Sequence, residues 1–287
     1  MQETRTNAAI AAAPPALRAQ VDGLVAVLQS HTRILVAYSG GVDSTLVLRV
    51  AVFALGPEHV LGVLADSPSL ARREKHEAEA MAQAMGARLR ILDTHELDDP
   101  RYASNPLNRC YFCKSELYTR LHSLAAAEGF PVIADGTNLD DLSETRPGRV
   151  AAQEHGVQSP LVEAGLRKDD VRAISRVLGL PTADKPASPC LASRIPFGQK
   201  VDVETLAKVE AAEDVLVGCG ILGGRVRHHG DLARLELPQN ALDRLDDELR
   251  QRLVTGVRRA GYLYVTLDLE PYRRGRLSEA DPHSTPA

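Results

Sequence analysis

The sequence predicts an α/β protein, a doubly wound parallel sheet followed by a smaller C-terminal α+β domain. Three observations carry this. Short apolar runs alternate with helix-length segments from residue 33 to residue 134, the pattern of strands separated by crossover helices. The first strand passes into the first such helix through a glycine-rich turn, Ser-Gly-Gly-Val-Asp-Ser-Thr at 39–45. Beyond residue 166 the alternation stops, and an irregular stretch, 181–200, holds four prolines and one cysteine.

The elements follow in order. Residues 1–14 read as a disordered polar tail that contains a short alanine run. Leu17, Val21, Leu24, Val25 and Leu28 recur at helical spacing, so a helix is expected over 15–31. Strand 33–38 and helix 43–55 come next, then strand 60–64, helix 70–85, strand 88–92, helix 114–128 and strand 132–134. Leu117, Leu121 and Leu124 give the helix over 114–128 ordinary core spacing. A helix over 168–178 closes the first domain, taken as 15–185. The second, 186–274, reads as helix 202–217, strands 224–228 and 233–237, helix 239–253 and strand 262–267. Residues 275–287 are a polar tail expected to fray.

Composition narrows the function. The 287 residues carry 34 Lys plus Arg against 38 Asp plus Glu, a formal net charge of -4. That balance argues against a chain built to bind nucleic-acid backbone and favours a small-molecule substrate. No apolar run approaches membrane-spanning length, and the N-terminal alanines are too few and too weakly apolar for a secretory signal, so a cytoplasmic location and no membrane partner are expected. Two of the four cysteines form Cys-Tyr-Phe-Cys at 110–113, which suits metal or redox use better than a secreted disulfide framework.

The glycine turn is the strongest local signal. Gly40 and Gly41 let backbone N–H groups approach phosphate oxygens, and the N-terminus of the following helix adds partial positive charge. Ser39, Ser44 and Thr45 offer hydroxyl donors. Asp43 would repel phosphate unless Mg²⁺ bridged them. The plainer reading is a glycine turn capped by Ser or Asp. Asp135, Gly136, Thr137 and Asn138 follow a later strand and should reach the same sheet edge, with Asp140 or Asp141 available to a metal ion. Alone, that segment is equally readable as an Asx-type turn with solvated acids.

The hexapeptide Ser-Gly-Gly-Val-Asp-Ser resembles the loop of the PP-loop ATP pyrophosphatases, which split ATP between the α and β phosphates and transfer AMP to a substrate oxygen. Three further segments are similar to the LarE family of ATP-dependent sulfur transferases: Gly-Thr-Asn-Leu-Asp-Asp at 136–141 running into Arg-Pro-Gly-Arg-Val-Ala-Ala at 146–152, Lys-Pro-Ala-Ser-Pro-Cys-Leu-Ala-Ser-Arg-Ile-Pro at 185–196, and Leu-Asp-Leu-Glu-Pro-Tyr-Arg at 267–273. The resemblance runs from about residue 33 to residue 273. It implies ATP and Mg²⁺ as cofactors and pyridinium-3,5-biscarboxylic acid mononucleotide as substrate, its carboxylates adenylated and converted to thiocarboxylates for the nickel-pincer nucleotide of lactate racemase. It also implies a homo-oligomer, a hexamer of three dimers, and maps site residues onto Lys114, Ser193, Arg194, Glu213, Arg225, Arg227 and Glu236. Arg225 and Arg227 lie two apart on an expected strand, so both should point to one face; read alone this is a solvated face with ordinary surface charges, and with the resemblance it becomes a grip on a phosphate.

Sulfur delivery has two versions in this family. In one, the cysteine at the position of Cys190 gives up its own sulfur. In the other, three cysteines hold a [4Fe-4S] cluster with one iron open to sulfide; the resemblance implies that Cys110, Cys113 and Cys190 do so here, leaving the sulfide source unassigned and Cys219 structural. Read alone, Cys110 and Cys113 are equally a zinc clip or a reversible disulfide. Transfer-RNA thiolation and a catalytically inert nucleotide-binding regulator are the competing functional readings.

Overall fold

The computed structural model describes residues 2–143 and 147–273. In chain order the elements are α1 (Gln2–Ala12), α2 (Pro15–Gln29), β1 (Ile34–Ala37), α3 (Val42–Leu55), β2 (Val60–Asp66), α4 (Arg72–Ala84), β3 (Arg88–Asp93), α5 (Pro100–Ala103), α6 (Arg109–Glu128), β4 (Val132–Ala134), α7 (Pro147–Glu154), α8 (Pro160–Glu163) and α9 (Lys168–Val177). There follow α10 (Val203–Gly218), β5 (Arg225–His229), β6 (Leu232–Glu236), α11 (Gln239–Leu242), α12 (Asp247–Arg259) and β7 (Tyr264–Leu267). They form two compact units, Met1–Asp99 with Asn108–Ser188, and Pro100–Leu107 with Pro189–Ala287.

The first unit is the expected parallel sheet, in the order β3-β2-β1-β4. Ile34 sits opposite both Val60 and Val132, and Leu61 opposite Arg88. Both faces are covered, as an all-parallel sheet requires. Leu35, Leu61, Val63 and Ile133 pack against Leu117 and Leu121 of α6 and Ala151 and Ala152 of α7. Ile34, Val36, Val60 and Leu64 alternate with them and meet Leu24 and Leu28 of α2, Leu48 of α3 and Ile174 of α9. The chain runs from β1 to one side and returns to β4 on the other, so the strand order reverses at the end of β1, where open α/β sheets bind ligands.

The second unit pairs β5 with β6 antiparallel and β6 with β7 in parallel. One face carries Val226, Ala233 and Leu235 against Ala212 and Leu216 of α10 and Leu253 and Val257 of α12. Arg225, Arg227, Arg234 and Glu236 alternate with these residues and share the other face. Residues 100–107 join this unit through Asn105, fully buried at φ 57°, whose Nδ2 donates to the Pro196 carbonyl at 2.8 Å and the Ile195 carbonyl at 3.3 Å.

Several expectations are corrected. Residues expected as a polar tail include α1, with Ile10 and Ala13 buried. The helix expected over 114–128 begins at Arg109, so Cys110 and Cys113 are helical. Cysteine and aromatic residues are indifferent helix formers, and packing against α7 decides: a Cβ at Gly148 would lie 3.2 Å from Lys114 Cγ and 3.6 Å from the Cys110 carbonyl. The helix expected over 239–253 is two helices, because Asp246 caps α12 by accepting from the Leu249 N–H at 2.8 Å. The tail over 275–287 and Arg146 lie outside the described residues.

Asp246→Ala removes that cap and is expected to lower stability by about 1 kcal/mol, read from urea denaturation; an unchanged midpoint would show that α12 starts for another reason.

Candidate active site

The glycine turn joins β1 to α3. Gly40 adopts φ +70°, and a Cβ there would sit 2.6 Å from the Ala78 Cβ of α4, so the position has neither the backbone nor the room for a side chain. Gly41 is the N-cap of α3 and offers no side-chain cap, leaving the helix's first N–H groups to a ligand. The Ser39 and Ser44 hydroxyls meet at 3.0 Å, and the Ser39 N–H donates to Ser44 Oγ at 3.1 Å. Thr45 is fully buried, inside the unit rather than on the open side of the turn.

The second loop docks on this turn. A Cβ at Gly136 would lie 2.6 Å from the Ser44 backbone nitrogen. Fully buried Asn138 donates from Nδ2 to Asp43 Oδ1 at 3.0 Å, while its Oδ1 accepts from the Asp140 N–H at 3.0 Å. Asp135 organises the loop: its carboxylate accepts from the Thr137 N–H at 3.0 Å, the Thr137 hydroxyl at 2.7 Å and the Ser159 hydroxyl at 2.9 Å. Burial pushes the Asp43 carboxyl above its ordinary value, the Asn138 hydrogen bond opposes this, and neighbouring Asp141 adds to it. Asp140 accepts from Arg167 Nη1 and from the Lys168 N–H, each at 2.8 Å, and Asp141 pairs with Lys168 Nζ at 3.0 Å. These acids are thus partnered at the start of α9. The role of Lys168, whose charge also favours ionised Asp43, went unread in a sequence where it served only as a helix start.

Lys114 is half-buried on α6, its Nζ 5.6 Å from the centre of the Tyr118 ring. Negative charge at Tyr118, then at Cys113, Asp135 and Cys110, holds its pKa above the ordinary lysine value against the opposing effect of burial. Cys110 lies on the first turn of α6 and Cys113 one turn further on, both beside this cation. Cys110 is exposed and Cys113 half-buried. Among the described residues, no group of three or more His, Cys, Asp or Glu side chains is arranged to hold a metal ion.

Cys190, Ser193, Arg194, Glu213, Arg225, Arg227 and Glu236 belong to the second unit. Arg194 is buried and forks onto Glu213 with two 2.8 Å bonds. Its Nη1 donates to the Pro189 carbonyl at 2.5 Å, the Cys190 carbonyl at 3.0 Å and Ser193 Oγ at 3.0 Å. Arg194 therefore positions the backbone of exposed Cys190. Glu213 also accepts from the Val226 N–H at 3.1 Å. Arg227 forks onto Glu236, with Nε at 2.9 Å and Nη2 at 2.7 Å, and donates to the Ser193 carbonyl at 2.9 Å. Arg225 lies 5.1 Å from the centre of the Tyr272 ring, its charge disfavoured by burial and then by Arg194. Cys219 is half-buried against the core of this unit.

Comparison with known proteins agrees with this geometry. A family model for NAD synthase matches residues 17–106. The chain is 46% identical to an uncharacterised protein of Synechocystis sp., over 91% of this chain and 98% of that one. It is 38% identical to the pyridinium-3,5-bisthiocarboxylic acid mononucleotide synthase of Lactiplantibacillus plantarum, over 89% of this chain and 92% of that one. The chain belongs to the LarE family. A tRNA-specific 2-thiouridylase of Azorhizobium caulinodans is 31% identical, but over only 60% of its length. As a LarE member the chain is an ATP-dependent sulfurtransferase of the PP-loop class. No helix among the described residues is long and apolar enough to cross a membrane.

Two outcomes follow for this LarE chain. An acid whose folded pKa is raised binds more protons folded than unfolded, so its presence lowers stability as pH climbs past the ordinary aspartate value. Asp43→Asn in metal-free buffer is therefore expected to be more stable than wild type at neutral pH, with the difference closing in acid, by urea melts across pH. Arg194→Met strands buried Glu213 and is expected to cost roughly 3–5 kcal/mol; a loss under about 1 kcal/mol, as for an exposed pair, would show that the clamp is dispensable.

Proposed function

We propose that this enzyme adenylates the carboxylates of pyridinium-3,5-biscarboxylic acid mononucleotide and converts them to thiocarboxylates, a step toward the nickel-pincer nucleotide of lactate racemase. The observation that carries the reading is the junction of the two glycine loops at the N-terminus of α3, where Gly136 lies against the Ser44 N–H and Asn138 holds Asp43. Backbone donors at the end of a central parallel strand suit the phosphates of ATP. Likeness over nearly the whole length to the L. plantarum synthase supports the substrate.

The chemistry is an activated displacement. A substrate carboxylate oxygen attacks the α-phosphorus of ATP, the bond to pyrophosphate breaks, and a mixed anhydride with AMP forms. A sulfur nucleophile then attacks the carbonyl carbon, and AMP leaves with the bonding electrons. Ser39, Gly40, Gly41, Ser44, Gly136, Thr137 and Asn138 hold the nucleotide. Asp43 suits Mg²⁺: the carboxylate is half-buried, its pKa stays raised because Asn138 and Lys168 only partly offset burial and Asp141, and a divalent ion would supply the further positive charge. Lys114 is a fixed cation beside Cys110 and Cys113. In the second unit Arg225, with Arg227, Glu213 and Glu236 behind it, offers the anionic substrate a charged layer, and Arg194 and Ser193 hold the Cys190 backbone.

Cys110 and Cys113 fit an iron-sulfur cluster in donor chemistry, as two thiols one helical turn apart beside a cation. Cys190 is the third. When bound, a cluster with three protein thiolates would supply sulfide as the nucleophile. Direct donation of sulfur by Cys190 is the second reading, favoured by its exposure. A homo-oligomeric cytoplasmic enzyme is part of the proposal.

The test is anaerobic. Expected are exchange of labelled pyrophosphate into ATP that depends on the biscarboxylate mononucleotide, iron and sulfide in the protein, and repeated turnover with the Cys190 mass intact. A single event per chain with loss of hydrogen sulfide mass at residue 190 replaces cluster delivery by sacrifice. Activity on unmodified tRNA but not on the mononucleotide overturns the substrate.

A further inference from the structure

The first unit contains an open cavity of about 1040 Å³. Its walls come from α1, α3, α4 and the chain that follows α9, and Gly40 of the phosphate turn contributes to them. Ala80, Met81, Ala84, Met85, Leu178 and Leu180 make them largely apolar. Arg49 also lines the cavity. It sits in the middle of α3, whose residues 44 to 51 are all buried, and is itself 7% exposed.

A buried guanidinium ordinarily faces a carboxylate. Arg49 does not. Its Nη2 donates to the Thr6 hydroxyl, and among the described residues no carboxylate lies within ion-pairing distance of it. Burial accordingly lowers its pKa, with no acid to offset the effect. The two acids on the cavity wall are engaged elsewhere: Glu77 with Lys185 at 2.9 Å, Asp184 with Arg176 at 2.6 Å. Lys185 in turn is held by Glu74 at 2.6 Å. Among the described residues the cavity therefore presents one uncompensated cation, with donors in reserve, above an apolar wall.

We propose that this cavity is a binding site for an amphipathic monocarboxylate, its carboxylate on Arg49 and its aliphatic or aromatic body against the alanine-methionine wall of α4. One cation matches one negative charge, which favours a carboxylate over a phosphate dianion. Flexible methionines accept bodies of different outline. Nothing in the adenylation chemistry uses Arg49, so the site stands or falls apart from the proposed function.

The test is calorimetric titration of the full-length protein with octanoate, using octan-1-ol as the neutral counterpart. Octanoate is expected to bind once per chain and about tenfold more tightly than octanol. Arg49→Met should bring octanoate down to the level of octanol, Arg49→Lys should keep most of the difference, and Thr6→Val, which releases a donor, should weaken nothing. Equal binding of the acid and the alcohol by wild type, or undiminished octanoate binding by Arg49→Met, overturns the proposal. Should Arg49→Met not fold, octanoate labelled at its carboxyl carbon decides by NMR: bound to the wild type it is expected to titrate below the pKa of the free acid, and titration at the free value rejects the site.

Discussion

One hydrogen bond, from Asn138 to the Asp43 carboxylate, ties together the two loops on which the nucleotide end of this molecule depends. The loops belong to β1 and β4, neighbours in the sheet although nearly a hundred residues apart in sequence. Their approach is set by an absence of side chain: Gly136 lets one backbone rest on the other at the start of α3, and Gly40 lets the first turn rest on α4. Asp43 carries a cost for this. It is held in partial burial near a second acid, and Asn138 and Lys168 only partly offset that environment. That carboxylate stands beside the N-terminus of α3, whose first N–H groups have no side-chain cap.

The second unit solves a different problem. Its sheet turns one face to an ordinary apolar core and the other to arginines and glutamates that are themselves buried. Such ion pairs add little net stability but are demanding of geometry. Here that geometry acts on the chain around Cys190: Arg194 reaches the carbonyls of residues 189 and 190, and Arg227 that of residue 193. The thiol is exposed while the backbone under it is held by guanidinium groups that are themselves fixed by buried carboxylates.

How much was legible in the sequence divides along the range of the interactions. The parallel sheet was readable because β1, β2 and β4 are buried on both faces and so appear as unbroken apolar runs. The phosphate turn was readable because the glycines it requires are adjacent. Family likeness supplied Arg194, Glu213, Arg227 and Glu236, but their pairing with one another was not readable, since Arg227 meets Glu236 only through the register of β5 on β6 and Arg194 meets Glu213 only through the packing of its turn on α10; alternation alone could say only that Arg225 and Arg227 share a face. The early start of α6 and the split between α11 and α12 were missed for local reasons, a packing partner in α7 and a capping aspartate inside an apparently continuous helix. Arg49 gave no signal as an isolated cation, because one arginine in an apolar helix reads as a residue that reaches the surface.

The placement of residues 100–107 has a consequence for how such a protein is made and inherited. This short piece leaves the first unit after β3, anchors in the second through Asn105, and hands the chain back before α6. During synthesis it emerges some ninety residues before the carbonyls of residues 195 and 196 to which Asn105 donates. For the same reason no single cut separates the halves. A gene fusion or truncation made at residue 188 would carry away an orphaned fragment of the other unit, and exchange of the C-terminal half between relatives would have to bring its partner loop along.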